Sequence, residues 1–135
     1  MSQCQVESAP GSAPARILVV EDEALIRFAM AEALRELGVS VVEAATADEA
    51  WRYLTAGGWV DLVFTDHLMP GSMTGARLAA RIRREYPIVI VIVTSGYFND
   101  RKWSDPIVAK PYDLLETATA LVERVRDKRQ KEGDR

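Results

Sequence analysis

The sequence predicts an α/β fold, a doubly wound sheet of five parallel strands in the order 2-1-3-4-5, and three observations carry that reading. Apolar runs such as Ile17–Val20, Leu62–Thr65 and Ile88–Thr94 stop at polar or acidic residues, as parallel strands buried on both faces do. Between the runs the apolar spacing switches to the helical period. Two of the helical stretches open on capping boxes, Thr46-Ala-Asp-Glu49 and Asp113-Leu-Leu-Glu116, in which a cap side chain and an acid three residues on satisfy each other's backbone donors. Strands alternating with helices require right-handed crossovers, and these wind a parallel sheet in both directions from its middle.

Taken in order, residues 1–15 are rich in Ser, Ala, Pro and Gly without periodicity and are expected to be a disordered extension. The first strand is Arg16–Val20. A helix over Ala24–Leu37 follows, with Ile26, Ala29/Met30, Ala33/Leu34 and Leu37 inward and Gly38 placed just past its end, where a left-handed residue is needed. The second strand is Val39–Glu43. The helix opened by Thr46 buries Ala50 and Leu54 and stops at Gly57-Gly58. The third strand is Leu62–Thr65, and the third helix Gly75–Arg84 turns Leu78, Ala79 and Ile82 inward. Ile88–Thr94 is the central fourth strand and Ile107–Ala109 a short fifth. Tyr97 to Pro106 is too short for a full helix and its loops, so the fourth helix is expected to be shortened or missing. The last helix carries the stripe Leu114/Leu115, Ala118, Leu121/Val122, Val125, within a domain of residues 16–126, and 127–135 is expected to fray as a charged tail.

Composition bounds the function. The chain has 135 residues, 48% of them hydrophobic, with net charge −3, which suits one domain with one core and argues against a whole-domain nucleic-acid surface. One cysteine and one histidine, Cys4 and His67, leave no disulfide framework and no Cys/His zinc site. His67 is expected to be a partly exposed side chain. The amino terminus lacks the pattern of a secretory signal, and no run approaches the ~18 apolar residues of a membrane span. The expected setting is therefore cytoplasmic, with neither membrane nor nucleic acid as partner.

The strand order settles where chemistry can occur. Strands 1 and 3 are neighbours at the topological switch point, the crevice in which such sheets bind ligands. Glu21 and Asp22 close the first strand and Asp66 closes the third, so three carboxylates converge there, with Thr94, Ser95 and Lys110 along the same edge. Gathered carboxylates repel unless a cation compensates, and oxygen-only ligands suit Mg²⁺. The set reads as phosphoryl-transfer machinery, with Asp66 as nucleophile and Thr94 and Lys110 holding phosphoryl oxygens.

Leu-Val-Val-Glu-Asp (18–22), Asp-His-Leu-Met-Pro-Gly (66–71), Val-Thr-Ser-Gly (93–96) and Ala-Lys-Pro-Tyr (109–112) resemble, in order, four signature stretches of the receiver domains of bacterial two-component response regulators, whose fold is flavodoxin-like. The resemblance implies that Asp66 accepts a phosphoryl group from a sensor histidine kinase or a histidine phosphotransfer protein. It further implies Mg²⁺ held by Asp22, Asp66 and the backbone carbonyl of Leu68, with Glu21 acting through water. Lys110 pairs with the phosphoryl group and Thr94 swings toward it. The family's kinase-docking face falls at Leu25, Phe28 and Tyr112, while the aromatics Tyr97, Phe98 and Trp103 form a second candidate contact surface. The stretch between Pro70 and Gly75 is one residue longer than the commonest family spacing. Ile107 stands where the family has Tyr or Phe, so its aromatic switch does not carry over. The stretch beyond the last helix is too short and polar for a DNA-binding module, so the expectation is a stand-alone receiver acting by protein contact rather than an enzyme. Two rivals remain. One is a small phosphatase with an aspartyl-phosphate intermediate, which needs a second acid where Leu68 stands; the other is a non-phosphorylated interaction module on the same scaffold.

Overall fold

The computed structural model describes residues 14–67, 69, 71–95, 107–109 and 112–133. Its elements run β1 (Arg16–Val20), α1 (Ala24–Glu36), β2 (Ser40–Ala44), α2 (Ala47–Thr55), β3 (Leu62–Asp66), α3 (Gly75–Glu85), β4 (Ile90–Ser95), β5 (Ile107–Ala109) and α4 (Leu114–Gly133). The five strands form one parallel sheet in the order β2-β1-β3-β4-β5, as the alternation of periods predicts. The expected shortening of a helix within 97–106 lies outside the described residues.

Strand side chains alternate between the faces, and each face buries a helix pair. Leu18, Val20, Val63, Val91 and Val93 pack with Ala50 and Leu54 of α2 and Leu78, Ala79 and Ile82 of α3. Ile17, Val19, Leu62, Phe64 and Ile92 pack with Met30 and Leu34 of α1 and Ala118, Leu121, Val122 and Val125 of α4. The period of two in the strands thus meets the helical stripes on both sides. In α1 Met30 and Leu34 are buried and Ala33 and Leu37 pack against the core as the spacing suggests, while Ala31 is buried in place of exposed Ala29.

The ends of the helices follow local chemistry. Thr46 caps α2 by accepting from the Glu49 N–H at 3.1 Å, and the Glu49 carboxylate returns to the N–H of Ala45 at 2.8 Å, one residue before the expected partner. Gly38 and Gly57 have φ of 94° and 98°, and the bonds Val39 N–H to Leu34 O and Gly58 N–H to Tyr53 O close Schellman turns that need a left-handed residue.

Both chain-end boundaries shift from the expectation. Ser40 N–H donates to the Ala15 carbonyl at 2.8 Å, so the fold begins before Arg16. The charged run after 126 does not fray: α4 continues through it to Gly133. Arg129 explains this, because its guanidinium grips both oxygens of Asp61 at 3.0 Å and anchors the last turns to the start of β3. No helix among the described residues is long and apolar enough to cross a membrane.

Candidate functional site

Parallel pairing sets β1, β3 and β4 level at their carboxyl ends. Val20 lies beside Thr65 and Asp66 beside Thr94, so the residues that close the strands share one crevice. Carboxylate oxygens of Glu21, Asp22 and Asp66 all lie within 4.8 Å of one another. Glu21 is buried, at 4% exposure, and its Oε2 accepts from the N–H of Glu23 at 3.1 Å. Asp22 is exposed and Asp66 half-buried. A hard divalent cation suits this oxygen-only set, since it relieves the mutual repulsion and leaves coordination positions for water or a phosphoryl oxygen.

Thr94 is 2% exposed, and its Oγ1 has no hydrogen-bond partner among the described residues. A buried hydroxyl without a partner is costly. Here it stands across the strand pair from Asp66, where an incoming oxygen would satisfy it. The backbone around it is fixed by His67 N–H donating to the Thr94 carbonyl at 2.8 Å.

The chain leaves Asp66, makes a loop and returns as α3 against the same residue. A Cβ at Gly75 would sit 1.6 Å from the Asp66 carbonyl oxygen, so only glycine allows this approach. Thr74 caps α3 by accepting from the Arg77 N–H at 3.1 Å. Within the loop, Met69 and Met73 are buried, and Ser72 Oγ donates to Asp48 Oδ1 at 2.7 Å, tying the loop to α2. The longer spacing after Pro70 is thus absorbed by a loop that is held at both ends.

Of the residues singled out in the sequence, Glu21, Asp22, Asp66 and Thr94 come together. Lys110, Leu68, Tyr97, Phe98 and Trp103 lie outside the described residues. Leu25 and Phe28 are 83% and 52% exposed on α1, whereas half-buried Tyr112 packs edge-on against Phe64 with centroids 5.8 Å apart. Tyr112 is therefore also part of the core margin. One residue beside the site carries no signal in the sequence. Arg27 of α1 donates from Nη1 to the Glu21 carbonyl at 2.7 Å, and its Nε lies 3.4 Å from Glu43 Oε1 on β2.

Known proteins resemble this chain in sequence and in fold. The Response regulator receiver domain family matches residues 17–117. The sensor kinase CckA of Brucella abortus (strain 2308) is 34% identical over 120 residues, covering 83% of this chain and 13% of that kinase. The chain spans about half or less of the length of the curated relatives it matches. Among solved structures, the signal receiver domain of an HD domain-containing protein from Pseudomonas fluorescens Pf-5 superposes with a TM-score of 0.75 at 27% identity, covering 87% of this chain and 99% of that one. The response regulator TrrA of Thermotoga maritima, solved with Mg²⁺ and BeF, gives 0.72 at 31% identity over 82% of this chain and 98% of that one. With a family match that spans most of its length and with the family's sheet order, this chain belongs to the response regulator receiver domains of two-component signal transduction.

Proposed function

We propose that this domain accepts a phosphoryl group on Asp66 from the phosphohistidine of a sensor histidine kinase or a histidine phosphotransfer protein, and signals by protein contact. The observation that carries the reading is the meeting of three carboxylate groups within 4.8 Å with a buried hydroxyl, Thr94 Oγ1, that lacks a partner among the described residues. Asp66 lends a carboxylate oxygen to phosphorus. As the new O–P bond forms, the P–N bond to the donor imidazole breaks and its electron pair stays on the imidazole nitrogen. Asp22, Asp66 and the Leu68 carbonyl, with Glu21 acting through water, would hold Mg²⁺, which when bound neutralises charge on the transferring group. Thr94 satisfies its hydroxyl by donating to a phosphoryl oxygen, and Lys110 would supply a positive charge to it. Leu25 and Phe28, exposed on the helix after the acidic pair, form the apolar face against which a donor helix packs.

The test incubates the protein with a small acyl phosphate and Mg²⁺ and measures intact mass, with Asp66→Asn as control. A gain of one phosphoryl group in the wild type and none in the variant supports the reading. An unmodified wild type overturns it in favour of a non-phosphorylated interaction module.

A further inference from the structure

We infer that Arg27 is a positioning residue for the acidic cluster: it fixes the Glu21–Asp22 turn in the shape that turns both carboxylates toward Asp66, and so sets the affinity for the divalent cation. The inference rests on the metal-assisted reading above and goes beyond it by naming a residue outside the ligand set.

Side-chain bonds from both ends help close the turn between β1 and α1. The Glu21 carboxylate accepts from the N–H of Glu23, and the Glu21 carbonyl accepts from the Arg27 guanidinium at 2.7 Å. That carbonyl belongs to the peptide joining Glu21 to Asp22, so holding it holds the plane from which the Asp22 side chain departs. Asp22 is exposed, and an exposed side chain takes its direction from its backbone rather than from surrounding packing. Arg27 is itself held. Its side chain is only 14% exposed, its Nε faces Glu43 on β2, and Arg35 meets the other oxygen of Glu43 at 3.2 Å. The guanidinium fork thus joins α1, the end of β1 and the end of β2 at the cluster. A planar fork with fixed donors suits such a bridge better than an ammonium.

A second effect of Arg27 has the opposite sign, which makes the inference decidable. A positive charge beside the cluster repels a cation, so if charge dominated, removing Arg27 would tighten binding. If positioning dominates, removal weakens it, as loss of residues that orient metal ligands does, on the order of tenfold or more.

The experiment titrates Mg²⁺ by calorimetry into wild type, Arg27→Ala, Arg27→Lys and Asp22→Ala, each below its own melting transition. Arg27→Met, which keeps the apolar stem without the donors, replaces Arg27→Ala should that variant fail to fold. The expected result is roughly tenfold weaker binding in Arg27→Ala or Arg27→Met, with partial recovery in Arg27→Lys. Unchanged or tighter binding in Arg27→Ala and Arg27→Met, with Asp22→Ala still weakened, overturns the role of Arg27 alone. A wild type that binds no better than Asp22→Ala overturns the metal reading and this inference with it.

Discussion

Strand β3 begins just after one aspartate and ends on another, and the two ends are built in opposite ways. Asp61 is buried and its charge is answered from within the chain: Arg129 reaches both oxygens at 3.0 Å, and the Arg16 N–H adds a third bond at 2.9 Å. Asp66, at the other end, meets two more carboxylates. A bidentate guanidinium makes the first acid a structural joint, since it ties β1, β3 and the far end of α4 together. The second acid stands among like charges at the crevice, an arrangement that suits a divalent cation. An acid at a strand end is thus defined by what gathers around it, and the same residue type serves as rivet at one pole and as reactive group at the other.

The largest expected effect lies at the riveted end. Arg129→Ala leaves the Asp61 carboxylate, 3% exposed, without its counterion. Breaking a buried pair from one side costs roughly 3–5 kcal/mol, read as a fall in the urea midpoint at unchanged slope. The double variant Arg129→Ala/Asp61→Ala should cost little more than either change by itself, because the partners act as a unit. A loss below about 1 kcal/mol, the level of an exposed pair, would erase the contrast between the poles.

At the open end the sign should reverse. Asp22→Asn removes one of three repelling charges, so without Mg²⁺ the variant should melt slightly above the wild type, by no more than about 1 kcal/mol at so exposed a position. The wild type should gain stability on adding Mg²⁺ through linkage, and the variant should gain less. Thermal melts with and without the cation decide it, and a variant that melts below the wild type in metal-free buffer would mean that the cluster is already balanced.

The sequence made one end far more legible than the other. Runs ending at Asp22 and Asp66, a parallel order and a switch point were enough to bring the reactive acids together, because each strand end is a local signal and the order comes from the crossovers. Arg129 and Asp61 meet across a separation that no local period reports, so the charged run after 126 read as a tail when it is the closing turns of α4. Arg27 was missed for a related reason: an arginine in the second turn of a surface helix looks ordinary until β2 supplies Glu43 beside it. Boundary errors such as Val39–Glu43 for Ser40–Ala44 came from apolar residues that pack without pairing in the ladder. Val39 is buried although it lies between α1 and β2, outside the ladder.

The smallest effect tests whether a tie at the open end is as slight as its exposure implies. Ser72 Oγ donates to Asp48 Oδ1 at 2.7 Å, and both groups meet solvent. In Ser72→Ala the Asp48 carboxylate turns to water and keeps its favourable place in the first turn of α2. The stability loss should therefore stay near the lower end of the ~0.5–1.5 kcal/mol of a typical hydrogen bond. The loop itself remains seated by Met69 and Met73, which are buried in the core shared by α2 and α3, and by Gly75 against the Asp66 carbonyl. Phosphorylation of Ser72→Ala by an acyl phosphate should accordingly proceed at close to the wild-type rate. A stability loss as large as that of Arg129→Ala would show that the loop after Asp66 is riveted as firmly as the start of β3, and would remove the distinction between the two ends.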